Sequence, residues 1–207
     1  MSARGRLITL EGVDGAGKST HIQFIASAVG TQGHHVVVTR EPGGTELAER
    51  LRKTILEEAM APMAETLLIF AARADHVARV IRPALDAGSW VICDRFSDAT
   101  LAYQGAGKGV ARDLIERLCE ASHPGLRPDR TLVFDCSYEV ARERLAASGR
   151  KLDRFESEDR GFFDRVRNAY LSQASAEPGR ICIIDAAADM WTIRRALEKA
   201  LVFQVSQ

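Results

Sequence analysis

The sequence predicts an α/β fold: a five-stranded parallel sheet with helices on both faces. Two observations predict the architecture. Five short apolar runs rich in Val and Ile lie at residues 7–10, 35–39, 90–93, 131–134 and 181–184, with helical patterning between each and the next. Strands that alternate with helices in this way pair in parallel, because each crossover helix returns the chain to the end of the sheet at which the previous strand began. A third observation places the ligand. A glycine-rich turn separates the first run from the first helix, and ligands on parallel sheets bind beyond the strand C-termini.

The first run is Leu7, Ile8, Thr9 and Leu10. After it comes Gly12-Val13-Asp14-Gly15-Ala16-Gly17-Lys18-Ser19, which fits the phosphate-binding pattern G-x-x-x-x-G-K-[ST]. The glycines let backbone N–H groups close around a polyphosphate, the helix over 20–28 adds its positive dipole end, and Lys18 adds a point charge. Ser19 is positioned to meet Mg2+. The second strand runs into Arg40-Glu41-Pro42-Gly43-Gly44-Thr45, a fixed open turn before a helix over 46–58. A long helix over 62–87 begins with Pro62 and contains Pro83, which is expected to kink or shorten it. The strand-end rule gathers Asp14, Arg40, Asp94, Arg95 and Asp185 along one rim.

Composition narrows the functional classes. Lys plus Arg and Asp plus Glu number 28 each, so no net basicity points to nucleic acid or an anionic membrane. Cys93, Cys119, Cys136 and Cys182 form no C-x-x-C pair and read as thiols of a reducing compartment. The phosphate loop begins within about a dozen residues of the start, leaving no room for a signal peptide, and no apolar run approaches a membrane span. A cytoplasmic location is the expectation, with one domain over 1–207.

Two apolar strands end in aspartate. Asp94 is preferred as the carboxylate near Mg2+, because Arg95 follows it and such a pair holds a hydrated metal with one member and a phosphate with the other. Asp135 reads as structural, a cap for the next helix. Phosphoryl transfer needs charge neutralised on several oxygens at once. Arg40, Arg52, Arg73 and Arg95 supply one side, and Arg142, Arg144, Arg150, Arg154 and Arg160 cluster around a charge-dense segment at 148–159. A closing loop there would exclude water.

Five segments in this order resemble the thymidylate kinase family: the phosphate loop, TREPGGT (39–45), FAAR (70–73), DRFSDATLAYQG (94–105) and GRKLDRFE (149–156). The resemblance implies a three-layer fold like that of P-loop nucleoside monophosphate kinases, with a short mobile lid over about 148–159, and transfer of a phosphoryl group from ATP to dTMP. By resemblance, residues 12–20 (Gly12 to Ser19, with Thr20) and Arg144 hold ATP, and Ser19 with Asp94 serves Mg2+. The dTMP site would comprise Asp14, Glu41, Pro42, Arg52, Arg73, Arg95, Thr100, Tyr103 and Gln104, with the base resting on Ile69 or Phe70. Tyr103 would crowd a ribose hydroxyl at C2′. Family members carry an arginine either in the phosphate loop or in the lid; residues 13–16 contain none, so Lys18, Arg95, Arg150 and Arg154 are the expected catalytic groups. Arg142 or Arg144 would lie over adenine, near the backbone around Asp185 and Ala186. A homodimer packed through long helices is also implied, with 62–87 one candidate surface. The alternatives are another nucleotide or deoxynucleoside kinase of the same fold, or a nucleotide switch, which the absence of an N-K-x-D segment disfavours.

Overall fold

A computed structural model describes residues 4–202. The five expected strands form as β1 (Leu7–Gly12), β2 (Val36–Arg40), β3 (Trp90–Asp94), β4 (Arg130–Asp135) and β5 (Ile181–Asp185), all parallel in the order β2-β3-β1-β4-β5. Each runs one or two residues past its apolar stretch, because the sheet ladder continues into the polar residue at the strand end. β1 lies at the centre, so the loop that follows it opens at the middle of the sheet edge.

Along β3, Trp90 and Ile92 join one core with Ile25 and Val29, while Val91 and Cys93 join another with Val77, Ile81 and Leu85. Successive strand side chains point to opposite faces, so helices cover both. The helices are α1 (Lys18–Gly30), α2 (Glu46–Glu57), α3 (Pro62–His76), α4 (Arg82–Asp86), α5 (Ser97–Thr100), α6 (Arg112–Ser122), α7 (Tyr138–Ala147), α8 (Arg160–Ala176) and α9 (Met190–Ala200). Side chains of Thr45, Ser137, Asp159 and Asp189 cap α2, α7, α8 and α9 by accepting N–H bonds in their first turns. The cap of α7 is therefore Ser137 and not Asp135. Asp135 instead forms a bidentate pair with Arg167 at 2.6 and 2.8 Å.

Pro83 neither ends nor sharply shortens the helix it interrupts. The chain runs from α3 through a π-helical turn, Val77–Ile81, into α4. Arg82 N–H reaches back five residues to Val77 O, and this widened turn relieves the clash a proline ring makes with the carbonyl four residues earlier. A second π-helical segment, Leu101–Gly107, continues from α5 and carries Tyr103 and Gln104. The four cysteines are free thiols. Among the described residues no helix is long and apolar enough to cross a membrane.

Candidate active site

The phosphate loop owes its path to glycine. Gly15 has φ +83°, and a Cβ there would lie 2.5 Å from Ala141 O, so neither the dihedral nor the space admits a side chain. Gly15→Ala is expected to cost at least about 1–2 kcal/mol of stability from the left-handed conformation alone and to weaken ATP binding, as read by denaturant unfolding and nucleotide titration. Lys18 is buried and donates to Gly12 O and Val13 O at 3.2 Å each, which curls the loop around its ammonium group.

Beyond the loop, two cavities meet. One is a pocket lined by Ile69, Arg73 and Phe96 and by Tyr103, Gln104, Glu41, Pro42 and Arg52. The other is an open groove along residues 14–21, bounded by Arg40, Asp94, Arg144, Arg150, Ala186 and Met190. Asp14, Arg52 and Arg95 line both and mark the junction.

Arg95 is held there under strain. Its φ is +71°, the one positive value outside glycine among the described residues. Its own N–H bonds Leu10 O at 2.9 Å, and the next N–H, of Phe96, bonds Glu11 Oε1 at 2.7 Å. These two anchors turn the side chain back over the phosphate loop. The guanidinium donates to Asp14 at 2.5 Å, Gly12 O at 3.0 Å and Tyr103 Oη at 3.0 Å, while Tyr103 donates to the other Asp14 oxygen at 2.8 Å. Burial works against the charge of Asp14, but Arg95, Lys18 and the Tyr103 hydroxyl together hold its carboxyl below the usual range.

Glu11 is fully buried in β1. Burial, and then the nearby charge of Asp98, push its carboxyl up to about 8, against the pull of Arg95 and of its bonds to Tyr170 and Phe96. The folded protein thus keeps a proton that the unfolded chain releases near pH 4.5. The stability this brings is complete below about pH 4.5 and is lost as pH rises through about 8. Between those values Glu11 should contribute a decline approaching about 1.4 kcal/mol per pH unit. Denaturant unfolding from pH 5 to 8.5 should show a shallower decline in Glu11→Gln than in the wild type; parallel curves would contradict it.

The pocket floor is a buried polar chain. Thr39 Oγ1 meets His76 Nε2 at 2.7 Å, His76 Nδ1 meets Glu41 at 3.0 Å, and Arg73 Nε donates to Glu41 at 2.6 Å. Arg73 also donates through Nη2 to Phe96 O and Thr100 Oγ1, while its buried Nη1 has no partner. Despite burial, Arg73 and His76 keep the Glu41 carboxyl below its usual range. Near the junction, burial and then Arg40 depress the pKa of Arg52, a cation crowded by other cations. Such a place favours an anion.

The thymidylate kinase family model matches residues 10–196. The chain belongs to the thymidylate kinase family. Among its relatives, the thymidylate kinase of Bordetella petrii is 53% identical over 201 residues, covering 97% of each chain. That of Pseudomonas syringae pv. tomato is 52% identical over 200 residues, 95% of each chain. A crystal structure of thymidylate kinase from Ehrlichia chaffeensis superposes with a TM-score of 0.74 at 30% identity, over 95% of this chain and 98% of that one.

Most of the residues that the family resemblance singles out fall at the two cavities. Ile69 lines the pocket, whereas Phe70 packs with Val110 and Ile115, its ring centre 4.9 Å from the Arg73 guanidinium carbon. The pocket is aliphatic at that point, and Phe70 does not line it. Arg144 lines the groove and donates to Ala16 O and Ala186 O, while Arg142 turns away to Glu156 O. Asp185 accepts from Ala187 N–H, and Ala186 and Ala188 line the groove in its place. Arg150 faces the groove, paired with Glu156. Arg154 does not reach it: its guanidinium is seated on the buried Glu65 and on Ile55 O.

Sequence reasoning missed Glu11, Glu65 and His76. A signal for the last two was present. Glu65, Ile69, Arg73 and His76 fall on one helical face, at spacings of four, four and three, and all are buried. Polar residues sharing an apolar face point to a site.

Proposed function

We propose that this member of the family phosphorylates dTMP with ATP to give dTDP and ADP, the ATP phosphates lying on the loop at residues 12–19 and dTMP in the pocket. The observation that carries this reading is the unpartnered, buried Arg73 Nη1 in a pocket that opens onto the phosphate loop through Arg95. A buried donor left free is costly unless a ligand meets it, and the O4 carbonyl of a pyrimidine is such a ligand. Ile69 and Phe96 then sandwich the base, and Tyr103 packs where a 2′-hydroxyl would crowd it. Asp14 receives the 3′-hydroxyl, and Arg95 and Arg52 hold the acceptor phosphate.

On the donor side, Lys18 and the loop amides hold the phosphates, and Arg144 with the backbone at Ala186 flanks the purine. Asp94 Oδ1 is buried without a partner at the end of β3, and Ser19 borders the same groove. This oxygen-only set suits Mg2+, which would neutralise phosphate charge when bound. The acceptor phosphate is already largely deprotonated at neutral pH, so no strong base is required. Positioning and arginine charge carry the reaction. Arg150 is the lid group for the transferring phosphoryl; Arg154 acts by seating the lid.

Four free thiols fit a reducing cytosol. A homodimer would use the N-terminal part of α3, where Met63 and Leu67 are exposed at 41% and 50%, whereas Ile69, Phe70, Val77, Ile81 and Leu85 of the same stretch are core. Sedimentation at micromolar concentration tests it. ADP release measured with dTMP, dUMP, UMP, GMP and thymidine tests the main reading. Preference for dTMP is expected, and any other preferred acceptor would overturn it.

A further inference from the structure

Glu65, in the first turn of α3, is fully buried. A carboxylate so placed needs compensation, and three donors converge on it. Lys108 Nζ reaches Oε2 at 2.8 Å, the Arg154 guanidinium meets the same oxygen, and Gln104 Nε2 donates to Oε1 at 2.8 Å. Lys108 and Arg154 supply charge. Gln104 supplies none, and its amide has two chemically opposite ends.

A carboxylate only accepts, so it draws the NH2 end of Gln104 toward itself. The other end, Oε1, accepts no hydrogen bond from the described residues. Gln104 lines the acceptor pocket, as does Arg73 with its unpartnered Nη1. A donor from Arg73 beside an acceptor from Gln104 complements a pyrimidine with a carbonyl at C4 and N–H at N3. The cytosine edge, with an amino group at C4 and a bare N3, has the opposite polarity at both atoms. Reversing the amide would place two N–H groups in the pocket and remove half of that discrimination.

We infer that Glu65 is a positioning residue that sets the direction of the Gln104 amide and thereby selects a 4-keto over a 4-amino pyrimidine nucleotide. The inference rests on the reading that the pocket holds the base of dTMP. Because Arg154 shares the Glu65 oxygen, the lid segment and the base-reading amide lean on one carboxylate.

The test compares kcat/KM for dTMP and dCMP in the wild type and in Glu65→Gln, whose buried amide can donate as well as accept and so no longer dictates the direction of Gln104. The dTMP to dCMP ratio is expected to fall at least about tenfold, mainly through the KM for dTMP, with the KM for ATP unchanged. A ratio within twofold of the wild type would overturn the inference even if the melting temperature dropped, since a merely structural role lowers stability without touching selectivity. Should the single variant fail to fold, Glu65→Gln with Lys108→Met removes one cation left without its carboxylate and carries the same comparison. Lys108→Met alone keeps the carboxylate and should keep the ratio; a loss as large as that of Glu65→Gln would also overturn the assignment. A wild type that does not prefer dTMP to dCMP would instead remove the base reading itself.

Discussion

Replacing Arg150 with alanine is expected to lower kcat by on the order of 10^3 or more while changing the KM for dTMP little. The placement of charge is why. Residues 13–16 of the phosphate loop carry no arginine. Arg95 is bound to Asp14 and the Gly12 carbonyl, Arg144 is tied to Ala16 O and Ala186 O, and Arg154 is seated on Glu65. Arg150 lines the groove from the segment proposed as a lid, is about half exposed, and among the described residues pairs with Glu156 of its own segment alone. It can exchange that partner for a phosphoryl oxygen without breaking the pocket. If the proposed lid delivers this charge only on closing, it acts on the transition state more than on the bound substrate, so the loss belongs in kcat. Arg154→Ala should lower kcat by less. Steady-state kinetics of both variants would decide, and an Arg150→Ala enzyme with kcat within tenfold of the wild type would remove the lid assignment.

Arg73→Met is expected to destabilise the fold by about 3–5 kcal/mol and to abolish measurable saturation by dTMP. Arg73 and Glu41 are each 2% exposed and His76 is fully buried, so the pair sits beyond the reach of solvent screening. The substitution keeps much of the side-chain volume but leaves the Glu41 carboxylate with His76 alone. Glu41→Gln on the Arg73→Met background should recover part of the loss, because it removes the stranded charge. Denaturant unfolding of the two single variants and the double variant gives the coupling directly. A loss below about 1 kcal/mol in Arg73→Met, or full additivity, would contradict the account of the floor as a desolvated ion pair.

How far the sequence reaches depends on the range of the forces involved. β1 and the loop after it were legible because an apolar run, spaced glycines and Lys18 lie within about a dozen consecutive residues. Local sterics and the helix N-terminus dictate the shape there. Pro83 signals a break locally, but its effect is not local: the π-helical turn at Val77–Ile81 lets Ile81 and Leu85 stay in the core, a benefit no pattern of prolines reveals. Asp135 looked like a cap because it precedes Ser137, and only the approach of α8 offered it Arg167. Ile69 and Phe70 are adjacent in sequence, and which of them meets the pocket depends on helix rotation set by the packing of α3 against α6.

The sequence by itself determined the parallel α/β architecture, the phosphate loop and most of the residues around the two cavities. Those follow from periodicity and from short motifs, whose physics acts between near neighbours. Only the tertiary structure decided which charges pair. The strained Arg95 over Asp14, the Thr39–His76–Glu41–Arg73 floor, and Glu65 shared by Gln104, Lys108 and Arg154 join elements more than thirty residues apart. The partner of a buried charge is whatever the fold brings within hydrogen-bond reach once water is gone, and that distance is not written along the chain.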